Sequence, residues 1–226
     1  MLRIDIISVQ PKMFEGFLRE SIVARAVKKG LCEINIVDLR AFGEGRWHKV
    51  DDKPYGGGPG MLMKCGPWFA AVESLDRTDA SRVIMTSPAG KTFVQRDAEA
   101  LSREGHLVFM CGHYEGFDAR IETLATDKYS LGDFVMTGGE LAAASMVDAI
   151  VRLVPGVLGG GPAATASESF GSEGTLEAPQ YTHPPEFRGM KVPEVLLSGD
   201  HAKIESWRRF AARDLTKRER PDLLND

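Results

Sequence analysis

Tyr129-Ser130-Leu131-Gly132-Asp133-Phe134-Val135-Met136-Thr137-Gly138-Gly139-Glu140-Leu141 is a glycine-rich stretch leading into a helical pattern. Glycine at this density lets main-chain amides and carbonyls approach a ligand closely and permits positive φ. Upstream, Cys111-Gly112-His113-Tyr114-Glu115-Gly116 has the same texture. So does Val50-Asp51-Asp52-Lys53-Pro54-Tyr55-Gly56-Gly57-Gly58-Pro59-Gly60-Met61. Three such loops, each following or flanking an apolar run, point to one ligand held mainly by main chain.

Around these loops, β-branched apolar runs alternate with helical patterns. Strands are expected at residues 3–9, 32–39, 82–86, 106–111 and, briefly, 133–136. Residues 13–29 read as an amphipathic helix closed by Gly30. Residues 67–75 begin with proline in the first turn. Residues 93–103 end at Gly105, and residues 140–153 end before Pro155. This alternation predicts a parallel α/β sheet covered on both faces. Ligands on such sheets bind beyond the carboxyl ends of the strands. The loops 86–91, 112–116 and 132–139 fall at that position.

After Gly156 the texture changes. Leu158 to Ser167 is rich in glycine, alanine and serine and reads as a linker. Residues 179–193 are proline-rich and irregular, and 201–212 are helical. The expected organisation is an α/β domain over 1–157, a flexible linker over 158–176 and a small, mostly helical C-terminal domain over 177–226.

The chain has 226 residues and a net charge of −4, a length that buries roughly 70% of the unfolded surface. No apolar run reaches the roughly 18 residues of a membrane span, and the N-terminus begins at once with a strand pattern carrying Asp5, leaving no place for a signal peptide. Cys32, Cys65 and Cys111 are widely spaced, which excludes a disulfide framework and argues against structural zinc. A cytoplasmic location is expected. Bulk charge does not advertise nucleic acid, yet Lys203, Arg208, Arg209, Arg213, Lys217, Arg218 and Arg220 outnumber Glu205, Asp214 and Glu219 between 201 and 220. That segment is either a solvated helix face or a phosphate-contacting surface; composition does not decide.

Two nucleotide signatures fail. Gly90-Lys91-Thr92 would end a P-loop only with glycine at position 85, which is Met85. Gly43-Glu44-Gly45 is followed at the required place by His48 rather than glycine.

The three glycine loops together, with Arg152-Leu153-Val154-Pro155-Gly156-Val157-Leu158 and Val195-Leu196-Leu197-Ser198-Gly199-Asp200-His201, resemble the bacterial tRNA (guanine-N1)-methyltransferases of the TrmD family. The resemblance spans nearly the whole chain in the right order. It implies the SPOUT α/β fold, in which the C-terminal part of the sheet domain threads a deep trefoil knot. It implies S-adenosylmethionine, bent in the knot, held by Thr86, Ser87 and Pro88, by Gly112, Tyr114, Glu115 and Gly116, and by Leu131, Gly132, Asp133, Phe134, Val135 and Met136 with Gly138 and Gly139. It implies a homodimer with an active site shared between protomers, and methylation of N1 of the guanosine at tRNA position 37. Some family members need magnesium; the sequence contains no metal-ligand cluster. Rival readings are a SPOUT methyltransferase with another RNA target and a catalytically weak RNA-binding module.

On the same resemblance, Asp51, Gly57, Gly58, Gly60 and Met61 match positions that place the target guanine. Arg152 matches an arginine that would stabilise negative charge building towards O6. The family has aspartate before Ser-Phe where this chain has Glu168-Ser169-Phe170, so Glu168 is the expected general base, on a longer arm. His183 stands where the family has arginine, removing a permanent cation. Ala142 replaces a common proline. His113, at a position of arginine or histidine, is given no catalytic role, and Cys111 reads as a buried strand-end thiol. Many relatives continue beyond the point reached by Asp226.

Overall fold

The computed structural model describes residues 1–159, 165, 168–171 and 174–224. They divide into two compact units, with the boundary between Gly159 and Gly160.

The first unit is built on five strands: β1 (Leu2–Ser8), β2 (Cys32–Asp38), β5 (Arg82–Thr92), β6 (His106–Met110) and β7 (Asp127–Ser130). Their order is β2-β1-β6-β5-β7, and every neighbouring pair is parallel. Parallel sheets need cover on both faces, and side chains alternate accordingly. Leu2, Ile4 and Ile6 of β1, Ile84 of β5, and Leu107 and Phe109 of β6 share one core with Val23, Ala98, Leu101, Met146 and Ile150. Those partners come from α2 (Ser21–Lys28), α4 (Gln95–Leu101) and α5 (Glu140–Val151). Ile7, Val83, Met85, Val108 and Met110 point into a second core with Trp68, Ala71 and Val72 of α3 (Cys65–Glu73). Trp68 is fully buried; burying a side chain of this kind contributes about 3 kcal/mol in gross terms. A small antiparallel pair, β3 (Asp51–Asp52) with β4 (Leu62–Met63), carries the upstream glycine loop between its strands.

In this unit three expectations are corrected. The helix expected over 13–29 is broken into a 3-10 turn (Pro11–Phe14), α1 (Glu15–Arg19) and α2. Glu20 is extended and Ser21 has φ +58, so the chain turns between the helices; the break lets Phe14 and Val23 both enter the first core. The strand expected over 133–136 is absent. The pairing with β5 is made by β7 four residues earlier, and Phe134 and Val135 are exposed, because an edge position after Gly132 offers them neither ladder nor core. The expected loop 86–91 lies inside β5: Thr86 and Lys91 both register with Tyr129, so the four residues between them bulge out of the ladder.

The second unit contains a two-residue hairpin, β8 (Glu186–Phe187) with β9 (Met190–Lys191), then α6 (Glu194–Leu197) and α7 (His201–Glu219). The helix expected to end at 212 runs on to 219. Asp200 caps it by accepting from Lys203 N at 3.2 Å. Thr216, wholly buried, accepts from Leu176 N at 2.9 Å, and Arg220 lies 5.9 Å over the Phe170 ring. These contacts tie Phe170 and Leu176 to the end of α7. Much of the expected linker 158–176 (160–164, 166, 167, 172 and 173) lies outside the described residues.

Candidate active site

A cleft of about 370 Å³ opens at the carboxyl ends of β5, β6 and β7. Its walls are the β5 bulge with Thr86, Ser87 and Pro88, the loop after β6 from Gly112 to Phe117, and the loop after β7 with Leu131, Gly132, Phe134, Val135, Met136, Thr137, Gly138 and Gly139. Main chain sews the loops together. Gly139 N donates to Gly112 O at 2.7 Å, and His113 forms an isolated antiparallel bridge with Gly138. Thr86 Oγ1 donates to Met110 O at 3.0 Å. A Cβ at Gly139 would fall on Thr86 Oγ1 and lie 3.0 Å from Gly112 N, so the close approach of the loops requires glycine there.

The expected cofactor residues Thr86, Ser87, Pro88, Gly112, Tyr114, Glu115, Gly116, Leu131, Gly132, Phe134, Val135, Met136, Gly138 and Gly139 all lie on this wall. Asp133 does not; it is exposed and outside the lining. Sequence reasoning missed Met85, His113, Phe117, Glu122, Tyr129, Ser130 and Thr137, and gave Ala142 no lining role. Tyr129 and Ser130 close β7, next to the loop that forms the wall.

The lining carries the carboxylates Glu115 and Glu122 and neither lysine nor arginine. Pro88, Leu131, Val135 and Met136 supply apolar surface. Such a cleft suits a ligand with a flat apolar part and a positive charge. At its back, burial pushes the Cys111 thiol well above its ordinary value, and the nearby Glu140 charge adds to the shift. Beside it, hydrogen bonds from Arg120 hold the Asp118 carboxyl well below the usual carboxylate range, so that pair stays ionic.

The upstream glycine loop is fastened to the cleft rim. Glu115 N donates to Met61 O at 3.0 Å, and Met63 N to Gly116 O at 2.9 Å. Gly60 has φ +77 and packs so closely on Glu115 that a Cβ would overlap that side chain. Of the residues expected to place a base, Gly60 and Met61 therefore meet the cleft residue Glu115. Asp51, Gly57 and Gly58 belong to the same β3–β4 segment without lining the cleft.

Arg152 caps the C-terminus of α5, its N–H donating to Asp148 O at 3.2 Å, and its side chain is half-buried. Glu168 is half-buried in the second unit, where its carbonyl accepts from Gly171 N at 3.0 Å.

The sequence profile of the family described as tRNA (Guanine-1)-methyltransferase TrmD matches residues 2–226. The chain belongs to this family. Among relatives, the tRNA (guanine-N(1)-)-methyltransferase of Lacticaseibacillus paracasei is 53% identical over 99% of this chain and 87% of its own length. That of Dictyoglomus turgidum is 53% identical over 99% of this chain and 90% of its own. The Moorella thermoacetica enzyme is 51% identical over the same shares. Among the described residues no group of three or more His, Cys, Asp or Glu is placed to hold a metal ion, and no helix is long and apolar enough to cross a membrane.

Proposed function

We propose that this chain transfers a methyl group from S-adenosylmethionine to N1 of the guanosine at tRNA position 37. The observation that carries the reading is the cleft: three main-chain loops at the carboxyl edge of the sheet, with two carboxylates and no cationic side chain in the lining. Its volume lies at the scale of small-molecule sites. When bound, S-adenosylmethionine supplies an electrophilic methyl on a sulfonium; Glu115 complements that positive charge, whereas Glu122 is already paired with Lys128 at 2.8 Å. Thr86 to Pro88, Gly112 to Gly116, and Leu131 to Gly139 would hold the nucleoside and methionine parts through main chain and apolar contact. Asp133, exposed and outside the lining, is left without a contact in this scheme.

The chain's own chemistry concerns the guanine. N1 carries a proton at neutral pH and is a poor nucleophile until that proton leaves. Glu168 accepts the N1 proton, and the N1 electron pair takes the methyl. Arg152 donates to O6, where negative charge accumulates during the proton's departure. The loop with Asp51, Gly57, Gly58, Gly60 and Met61 holds the base against the cleft, since Met61 and Gly60 already meet Glu115. We assign the first unit to cofactor binding and the second, with Arg208, Arg213 and Lys217 on α7, to tRNA phosphates. The reading further includes a trefoil knot through the β5–α5 region, a homodimer that completes the site, and a cytoplasmic enzyme. Any magnesium would act with the RNA, because no protein cluster is present among the described residues.

Methyl incorporation from labelled S-adenosylmethionine into a transcript with guanosine at 36 and 37, but not into one with adenosine at 37, tests the reaction and its site together. Arg152→Ala should remove turnover while cofactor affinity stays within a few-fold; loss of affinity would reassign the arginine. Glu168→Gln should cost about 10²–10⁴-fold and Glu168→Asp should keep activity. A fully active Gln variant removes Glu168 from the mechanism.

A further inference from the structure

Glu140, the first residue of α5, is a carboxylate only 1% exposed. No step above uses it. Its Oε1 accepts from Ser8 Oγ, at the end of β1, over 2.8 Å. Ser8 Oγ in turn accepts from Gln10 N at 2.8 Å, so its single proton is directed to Glu140. Oε2 of Glu140 lies 3.4 Å from His113 Nδ1. The imidazole packs edge-on against Tyr114 at 5.1 Å and forms part of the cleft wall. The pair fills the space beside Gly138 so fully that a Cβ there would meet Glu140 Oε2 and His113 Nδ1.

Burying a carboxylate is costly unless it is paired and hydrogen-bonded. Here the helix N-terminus, a serine hydroxyl and an imidazole supply that compensation. An ionised carboxylate only accepts, so the ring nitrogen facing it carries the proton. In the Nδ1–H tautomer the other nitrogen, Nε2, is an acceptor.

We propose that Glu140 is a positioning residue: it fixes His113 as the Nδ1–H tautomer, so that Nε2 accepts from a hydroxyl or amine of the S-adenosyl ligand in the cleft. The inference rests on the S-adenosylmethionine reading and deepens it by naming the group that selects the ligand's donor. Fixing a ring through a carboxylate on its far nitrogen is the arrangement that orients histidines at metal centres, used here without a metal.

The experiment uses the intact chain labelled with 15N-histidine and titrated with S-adenosylmethionine. Ligand-free wild type should give the ring pattern of Nδ1–H for His113. Glu140→Gln presents an amide donor to Nδ1; it should switch His113 to Nε2–H and weaken S-adenosylmethionine binding about tenfold. Should that variant fold poorly, His113→Asn places an amide where Nδ1 stands and nothing where Nε2 stands. It should keep the wild-type unfolding temperature and show the same tenfold loss. An Nε2–H ring in wild type, or binding by His113→Asn within twofold of wild type, overturns the proposal. Wild type with an Nδ1–H ring but no S-adenosylmethionine binding overturns the cofactor reading, and the ligand half of this inference with it.

Discussion

The two ends of the sheet are built from different materials. At the amino ends of the strands, charge is concentrated and paired. Asp5, 1% exposed, takes His106 Nε2 at 2.7 Å, Arg3 Nε at 3.1 Å and Asn35 Nδ2 at 3.1 Å. Ser81 Oγ meets the other nitrogen of His106 at 3.1 Å. Arg82 bridges Asp127 at 2.5 Å and Glu104 at 3.1 Å. At the carboxyl ends, main-chain bonds between glycine loops predominate, and Glu140 is the one fully buried carboxylate among the described residues there. One end fastens the strands and the other leaves backbone for a ligand. At the amino ends the side-chain networks serve stability, and at the carboxyl ends close backbone approach serves binding.

Breaking each end should give a different phenotype. The largest effect belongs to Asp5→Ala, which strands His106 and Arg3 without their shared carboxylate. Removing one partner of a buried pair costs about 3–5 kcal/mol, so the unfolding temperature should fall by about 10 °C while cofactor affinity changes less than threefold. Cofactor affinity lost in step with stability would erase the distinction between the ends. Gly139→Ala comes next. Its methyl must push Thr86 away from Gly112, and a shift of about 1 Å costs about 100-fold in turnover. Steady-state rates at saturating cofactor would measure this, and a near-wild-type rate would mean that the loops yield.

The smallest effect concerns acid. Burial raises the Asp127 carboxyl, but hydrogen bonds from Arg82 and Thr126 outweigh that and hold it below the usual range. With the folded value the lower one, the pair contributes stability above about pH 4 and loses it as pH falls through the folded value. The stability gap between wild type and Arg82→Gln should thus be widest near neutrality and close in acid. A gap that widens on acidification would contradict the assignment.

Much of this contrast was legible in the chain. Alternating strand and helix patterns gave a parallel sheet, and two of the glycine loops fell beyond the strand ends, as the geometry of such sheets requires. The third expected loop, 86–91, became a bulge inside β5 because Lys91 returns to the ladder at Tyr129. The misplaced strand at 133–136 had the apolar residues of a strand but no neighbour to pair with, and local pattern carries no information about partners. The break at Ser21 escaped notice for a related reason: the apolar spacing runs through it unbroken, and only packing of Phe14 and Val23 on the sheet reveals it. Least visible was Glu140, whose Ser8 partner lies 132 residues away. The roles proposed for Arg152 and Glu168 rest wholly on the family resemblance, since neither sits in a local pattern that signals chemistry.

The sealed position of Cys111 has a consequence for chemical labelling. Its thiol is wholly enclosed behind the cleft, whereas Cys65 is half-buried at the start of α3. Alkylating reagents attack thiolates they can reach. In the folded protein Cys65 is thus the faster target, and Cys111 reacts only during moments when β6 and the loops around it part. Its modification rate is a clock for that breathing, and a ligand that bridges the loops should slow the clock without touching the sulfur.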